Sequence, residues 1–317
     1  MFVSVIICTY GRAKSLGPLL DCLLRQTFDE LEILVVDGND TLLARRAIEQ
    51  LVGERDAGEK IRIIRSGRGL TRQRNAGMRE ARGNIFVFLD DDVTLDAAFI
   101  SHTIELLERP DMRNVGGVTG YDMVTYGGPM AIRWRIRNLL GAIPSLVPGA
   151  IDHLGRAVPV SFVPPFSGCK EVGWLAGFCM IYRRDAVEGL QFDECLPTYG
   201  GEDRDFSIQV GKLWRLVFCG DLRLNHHGTP EGRESDVCRM LQNSFGAGRR
   251  FAKGVRGLSD YLIIARTLVG DLLVDLLAWA AHPSRSGLLI PIARIQGLIQ
   301  GWRSVGSART RAWDAAR

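Results

Sequence analysis

Short runs of apolar, often β-branched residues alternate along the first ninety positions with segments whose apolar residues recur every three or four places. Val3–Cys8 is the first such run and ends at Thr9-Tyr10-Gly11. Leu31–Val36 ends at Asp37-Gly38, Ile61–Ile64 is a third run, and Ile85–Leu89 runs into Asp90-Asp91-Asp92. Between them, Leu16, Leu19, Leu20, Leu23 and Leu24 have helical spacing, as does Leu42–Leu51, and 69–81 reads as a loop followed by a helix. Short continuous apolar runs suit strands buried on both faces. Strand alternating with helix predicts an α/β fold, a mostly parallel sheet with helices on both faces. Ligands of such sheets bind beyond the carboxyl ends of the strands, where Thr9, Asp37 and Asp90–Asp92 stand.

The pattern changes further on. Residues 121–168 carry Pro129, Pro144, Pro148, Pro159, Pro164 and Pro165, and Arg133, Arg135 and Arg137 alternate with Trp134 and Ile136. This predicts an irregular insertion over the rim of the sheet. Val172–Tyr182 reads as a strand-like run, and 200–213 as an amphipathic helix opening on Gly-Gly-Glu-Asp. Leu216–Cys219 and Leu222–Leu224 read as short strands leading to His226-His227. Leu262–Ala281 is again helical, with Asp260, Asp271 and Asp275 close together on one side and a broad apolar face elsewhere. A second segment repeats the theme with Ile292, Ile295, Ile299 and Trp302. The expected plan is a catalytic α/β domain over 1–230, with halves 1–120 and 121–230, and a helical region over 231–317.

Composition narrows the function classes. The chain has 317 residues, 46% of them apolar and 24% charged, as in an ordinary globular protein. A net charge of +4 gives no reason to expect a nucleic-acid partner. Seven cysteines form no CxxC pair and no zinc spacing, which suits reduced thiols in a cytosolic protein. The start lacks the features of a signal peptide, and no stretch reaches 18 uncharged apolar residues. Residues 285–317 hold six arginines against one acidic residue, Asp314. An apolar face beside an Arg-rich flank suits peripheral contact of 257–317 with an anionic membrane. The alternative is that these helices pack on the catalytic domain or on a second subunit.

The carboxylate triplet carries the chemistry. Two unit charges about 4 Å apart repel by roughly 4 kcal/mol at an effective dielectric near 20, so a cation is the usual remedy. Side chains two apart on a strand share a face, which lets Asp90 and Asp92 reach one ion. Oxygen ligation suits Mg²⁺ or Mn²⁺ and, through it, a ligand's phosphates. Carboxylates turned from the cleft, or pointing into ion pairs with lysine or arginine, would end the case for the ion. Arg72, Arg74 and Asn75 open a helix, where both the N-terminus and the guanidinium favour phosphate.

Taken in order, Val-Ser-Val-Ile-Ile-Cys-Thr-Tyr-Gly-Arg (3–12), Val-Val-Asp-Gly (35–38), Thr-Arg-Gln-Arg-Asn-Ala-Gly (71–77), Phe-Leu-Asp-Asp-Asp (88–92), the segment 174–184 and Gly-Glu-Asp-Arg-Asp (201–205) resemble the inverting glycosyltransferases of family 2, with their Rossmann-like GT-A fold. The resemblance covers about Val3 to Gly228. It implies a metal-dependent transfer of a sugar from a nucleoside-diphosphate sugar to a hydroxyl of a glycan, lipid-linked or other acceptor. Thr9, Tyr10, Arg12, Asp37, Arg74, Asn75, Asp90 and Asp91 would border the donor. Asp92 and Asp90 would hold Mg²⁺ or Mn²⁺ with His226, or His227 in its place. Asp203, with Glu202, would be the general base, and Asp205 a supporting residue. Trp174, Gly177 and Phe178 would face the acceptor. Such a protein would work at the cytoplasmic face of a membrane. A nucleotidyltransferase or a non-catalytic nucleotide-sugar-binding scaffold are the alternatives. The first would normally carry a glycine-rich phosphate loop after the first strand, and the second would be expected to lose the Glu-Asp pair.

Overall fold

The structure, a computed structural model, describes residues 1–55, 60–228 and 234–315, with side chains as far as residue 306. Among the described residues, nine strands form a single sheet: β1 (Val3–Thr9), β2 (Leu31–Asp37), β3 (Ile61–Arg65), β4 (Ile85–Asp90), β5 (Val93–Leu95), β6 (Val115–Asp122), β7 (Cys169–Val172), β8 (Cys179–Arg183) and β9 (Arg215–His226). Their order is β3-β2-β1-β4-β8-β6-β9-β5, with β7 also paired to β9. The first four are mutually parallel, while β8 runs antiparallel to β4 and β6.

Alternation across the strands explains the continuous apolar runs. Val3, Val5 and Ile7 of β1 join Ile33 and Val35 of β2 and Val87 and Leu89 of β4 in one core, together with the leucines of helix α1 (Ala13–Leu24) and Ile48 and Val52 of α2 (Leu42–Gly53). Ile6, Leu34, Val36, Phe86 and Phe88 point the other way into a second core, with Ala76 of α3 (Leu70–Glu80). Each strand thus serves two apolar layers, and each buried Val, Leu or Ile contributes about 1.5–3 kcal/mol. Register then aligns the strand exits, with Thr9 opposite Asp37 and Cys8 opposite Asp90.

The structure differs from the sequence reading at several elements. The run 172–182 is not one strand. β7 ends at Val172, a buried turn containing Leu175 and Ala176 follows, and β8 starts at Cys179. The turn is as apolar as its flanks because it is enclosed. The two short strands expected at 216–224 are one twelve-residue strand, β9. β6 escaped notice because it contains three glycines. A Cβ at Gly117 would lie 2.7 Å from the Tyr182 ring, and one at Gly120 2.6 Å from the Leu222 carbonyl, so close packing excludes the residues that usually signal a strand. Helix α4 (Phe99–Glu108), and α5 (Ile132–Leu139) inside the stretch expected to be irregular, complete this part of the chain.

Two compact units emerge. One comprises Met1–Gly128, Val160–Glu194 and Phe206–Arg233 and holds the sheet. The other comprises Pro129–Pro159, Cys195–Asp205 and Glu234–Arg317. The expected division near 230 therefore falls close to the last of these cuts, but two earlier stretches also belong with the C-terminal helices. Arg137 of α5 pairs with Asp271 at 2.8 Å, and Tyr199 N–H donates to Gln242 at 3.2 Å. The C-terminal helices are α7 (Asp236–Gly254), α8 (Leu258–Ala281) and α9 (Arg285–Ala315), while α6 (Glu202–Val210) begins in the second unit and ends in the first.

Helices α7 and α9 meet backbone to backbone. A Cβ on Gly297 would stand 2.3 Å from the Leu241 carbonyl oxygen, one on Gly301 1.9 Å from that of Phe245, and one on Gly248 2.2 Å from that of Leu298. Helix α8 is turned against the usual rule. Asp260 accepts from His153 at 2.9 Å, and Asp271 and Asp275 pair with Arg294 of α9 at 3.0 and 2.6 Å. Its Leu262, Val269, Leu273, Leu276 and Leu277 are exposed, as are Leu288, Leu289, Ile292 and Ile299 of α9. No helix among the described residues is long and apolar enough to cross a membrane.

Candidate active site

The carboxyl ends of β1 and β4 bring the acidic triplet together with two arginines and a histidine. β4 stops at Asp90, so Asp91 and Asp92 lie in the turn to β5. Ligand atoms of Asp90, Asp92 and His226 all lie within 4.8 Å of one another. Asp91 turns aside, accepting from the Thr9 hydroxyl and from Arg12, each at 2.9 Å. His226 Nε2 stands 3.3 Å from Asp92, its ring stacks on Phe178 at 4.9 Å, and its N–H donates to Asp122 at 3.0 Å. His227 instead places Nε2 2.9 Å from the Thr94 hydroxyl. Geometry thus joins His226 rather than His227 to the carboxylates.

Arginines temper the expectation of a bare acidic cluster. Arg12 also approaches Asp92 at 3.5 Å, and Arg74 approaches Asp90 at 3.5 Å while donating to the Gly177 carbonyl at 2.8 Å. These are the ion pairs that would count against a metal. They offset two of the three negative charges, and none of them removes the shared space of Asp90, Asp92 and His226. Burial pushes the Asp90 carboxyl up, against the opposing charges of Arg74 and His226. Burial likewise carries Asp91 to about 7 despite Arg12. For His226, burial disfavours the proton, but the hydrogen bond to Asp92 and the charges of Asp90, Asp92 and Asp122 outweigh it and raise the pKa. The two carboxylates suit Mg²⁺ or Mn²⁺, and the imidazole nitrogen offers a third donor to a divalent ion.

The remaining residues expected at the nucleotide fall into two groups. Tyr10 is exposed, with the Arg68 guanidinium 4.6 Å over its ring. Asp37 is buried, and both its oxygens are engaged: Oδ1 accepts from the Asn39 N–H and side-chain amide at 2.8 and 2.7 Å, and Oδ2 pairs with Arg65. That carboxylate orders the turn after β2. Asn75 is likewise occupied, bonding Phe192 O and N at 3.0 and 2.8 Å and Glu194 at 3.0 Å. It clamps a loop beside α3. On the expected acceptor side, Gly177 supplies the carbonyl that holds Arg74, Phe178 supports His226, and Trp174 is half-buried against the core.

In the second unit, Gly201 adopts φ +72° and starts α6, whose first turn carries Glu202, Asp203 and Asp205. Carboxylates there are favoured by the helix dipole. Glu202 is buried, Asp203 accepts from the Arg204 N–H at 2.8 Å, and Asp205 is bound by Lys253 at 2.9 Å. Asp205 is thus engaged by an ion pair with Lys253. Sequence reasoning missed Asp122, which ends the glycine-masked β6. It also missed Gln73, whose amide bridges Thr9 O and Val36 O at 2.9 and 2.8 Å and so ties α3 to the exits of β1 and β2.

Comparison with known proteins completes the picture. The chondroitin synthase of Escherichia coli is 33% identical over 266 residues, covering 75% of this chain and 36% of that protein. The amylovoran biosynthesis glycosyltransferase AmsB of Erwinia amylovora is 31% identical over 227 residues, covering 71% and 69%. The chain spans between 35% and 40% of the length of several of the curated relatives it matches. Among solved structures, the mannosyltransferase PcManGT from Pyrobaculum calidifontis, in complex with GDP-Man and Mn²⁺, aligns with a TM-score of 0.55 at 16% identity, covering 98% of this chain and 87% of that one. At that identity the likeness speaks for the fold. The model of glycosyl transferase family 2 matches residues 4–190, more than half of the sequence and, but for Val3, all of β1 to β8, and the chain therefore belongs to that family.

Proposed function

We propose that the protein is a metal-dependent inverting glycosyltransferase that moves a sugar from a nucleoside-diphosphate sugar to an acceptor hydroxyl. The observation that carries this reading is the convergence of Asp90, Asp92 and His226 at the end of the parallel strands. Those three would hold Mg²⁺ or Mn²⁺, which when bound stabilises negative charge on a departing diphosphate. Arg12, Arg74, Thr9, Tyr10 and Asp91 border the same place, and the two guanidiniums offer further positive charge to phosphate oxygens. Asp203, with Glu202, takes the acceptor's proton. A single displacement of this kind inverts the anomeric centre. Trp174 and Phe178 belong on the acceptor side. The outward apolar faces of α8 and α9 support work at a membrane surface.

Family membership removes the ground for a nucleotidyltransferase. A scaffold is separated from an enzyme by assay. Radiolabelled sugar transfer is measured with candidate donors and Mn²⁺, and the anomer of the product is read by NMR. Asp203→Ala should slow transfer by about 10²–10⁴-fold while leaving donor affinity intact. His226→Ala should weaken Mn²⁺ binding and His227→Ala should not. Full activity in Asp203→Ala, or a retained anomer, would overturn the reading.

A further inference from the structure

A cavity lies wholly within the C-terminal unit, lined by α5, α7, α8, α9, the loop at 155–157 and Arg204 in the first turn of α6. Its volume is about 330 Å³, in the range of small-molecule sites. Its charged lining consists of Arg137, Arg156, Arg204, Arg250, Arg294 and a single carboxylate, Asp271. Four of these arginines have carboxylates at hand. Arg137 pairs with Asp271 at 2.8 Å, Arg156 with Asp152 at 2.7 Å, Arg294 with Asp275 at 2.6 Å, and Arg204 lies 4.0 Å from Asp203.

Arg250 differs. It is buried, its Nη1 donates only to the carbonyls of Gly200 and Gly201 at 2.7 and 3.0 Å, and its Nε has no hydrogen-bond partner among the described residues. Gly155 leaves room for it, since a Cβ there would stand 2.6 Å from Arg250 Cδ. Burial, and then the charge of Arg204, push its pKa down to about 9 against the charges of Asp205, Asp203 and Glu202. A buried cation that makes no direct ion pair among the described residues is costly, and an oxyanion in the adjoining cavity supplies a partner in contact with it. Guanidinium forks match phosphate oxygens better than any other side chain does.

The rest of the lining is not phosphate-like. Trp134, Leu268 and Leu298 also face the cavity, and α8, which contributes Thr267 and Leu268, carries the exposed Leu262, Val269 and Leu273. The two residues whose carbonyls Arg250 holds immediately precede Glu202 and Asp203, and Arg204 immediately follows them. We propose that this cavity binds the phosphate or diphosphate group of an acceptor-side ligand, with an attached hydrocarbon following the apolar face of α8. This deepens the proposed function by naming a substrate class for the same Glu-Asp turn, and it rests on that reading only for the ligand's role as acceptor.

Binding is measured directly on the full chain by calorimetry, with inorganic pyrophosphate, a ten- to fifteen-carbon isoprenyl phosphate below its micelle concentration, and the corresponding alcohol as probes. The phosphate probes should bind, and the alcohol should bind at least tenfold more weakly than the isoprenyl phosphate. Arg250→Gln should weaken both phosphates at least tenfold, and so should Ala247→Trp, which fills the cavity without touching an arginine. Tighter binding of isoprenyl phosphate than of pyrophosphate assigns a lipid-linked group, and equal binding a soluble phosphate. Either supports the site. No binding of either phosphate, or equal affinity in wild type and in folded Ala247→Trp, overturns it. Nucleoside-diphosphate-sugar affinity should stay unchanged in both variants. Loss of sugar transfer with phosphate binding intact would instead count against the proposed function.

Discussion

Gly77 is where the position of α3, and with it Arg74, is most sensitive to a single methyl group. A Cβ at Gly77 would lie 2.4 Å from Ile6 Cγ2 and 3.2 Å from Val36 Cγ2. Both partners belong to central strands and are buried, Ile6 at 1% and Val36 at 0% exposure, so neither methyl can move aside. Gly77→Ala gains about 1 kcal/mol of helix propensity and loses about 1–3 kcal/mol to overpacking. The short contact is with a strand side chain that has no free rotamer, which favours the upper part of that range and a net loss of about 1–2 kcal/mol. For a domain of this size that lowers Tm by about 2–8 °C. Ile6→Ala removes the offending methyl, so a double-mutant cycle by urea denaturation should show a favourable coupling of about 1–2 kcal/mol between the two changes. Any outward shift of α3 also lengthens the 3.5 Å approach of Arg74 to Asp90, so sugar transfer should fall in Gly77→Ala. A variant as stable as wild type, or strict additivity with Ile6→Ala, would refute the packing argument.

Glu32 provides a pH signature. Burial alone would raise its pKa, but the Ser4 hydroxyl, the Arg82 N–H and Arg62 outweigh burial and hold it below the ordinary value. Its contribution to stability is therefore full above about pH 4.3 and is lost as pH falls through the depressed folded value, so urea midpoints of Glu32→Gln should lack that part of the acid decline. Gly301→Ala should loosen the α7–α9 seam by at least about 1–3 kcal/mol, read as a lower urea midpoint, because the new methyl would meet the Phe245 carbonyl at 1.9 Å rather than a movable side chain. Since Arg12 and Arg74 already offset two of the three carboxylates, Mn²⁺ should bind the protein alone weakly and tighten about 5–150-fold when a nucleoside diphosphate is present. Titration with and without the diphosphate checks this, and equal affinity in both would contradict it.

The first half of the sheet was legible because its strands are buried on both faces, and residues such as Ile6 and Val5 serve opposite cores with the same chemistry. The second half was not. β6 trades side chains for close backbone packing at Gly117 and Gly120, and the turn before β8 is as apolar as the strands it joins. The α7–α9 contact was written as Gly297-Leu-Ile-Gln-Gly301, a spacing whose meaning depends on which helix lies opposite. Helix α8 was read correctly as two-sided, yet its sides are used in reverse, because Asp271 and Asp275 find Arg294 and Arg137 on neighbouring elements.

At the strand ends the residue types were legible, while their partners were not. The spacing of Asp90 and Asp92 suggested a shared face, and they do share one with His226, although Asp92 lies beyond the strand in a turn. Asp37 and Asn75 have the right chemistry for a ligand, but each is engaged by its own chain, through Arg65 and Asn39 in one case and Phe192 in the other. Which polar atoms are satisfied by neighbours is a tertiary property. Arg12 is the instructive middle case. Its bond to Asp91 at 2.9 Å is short and its approach to Asp92 at 3.5 Å is not, so the guanidinium holds Asp91 away from the position that Asp90, Asp92 and His226 share. An ion pair beside an acidic cluster thus need not compete with a cation. Here it leaves ligand atoms of two carboxylates and one imidazole within 4.8 Å of one another.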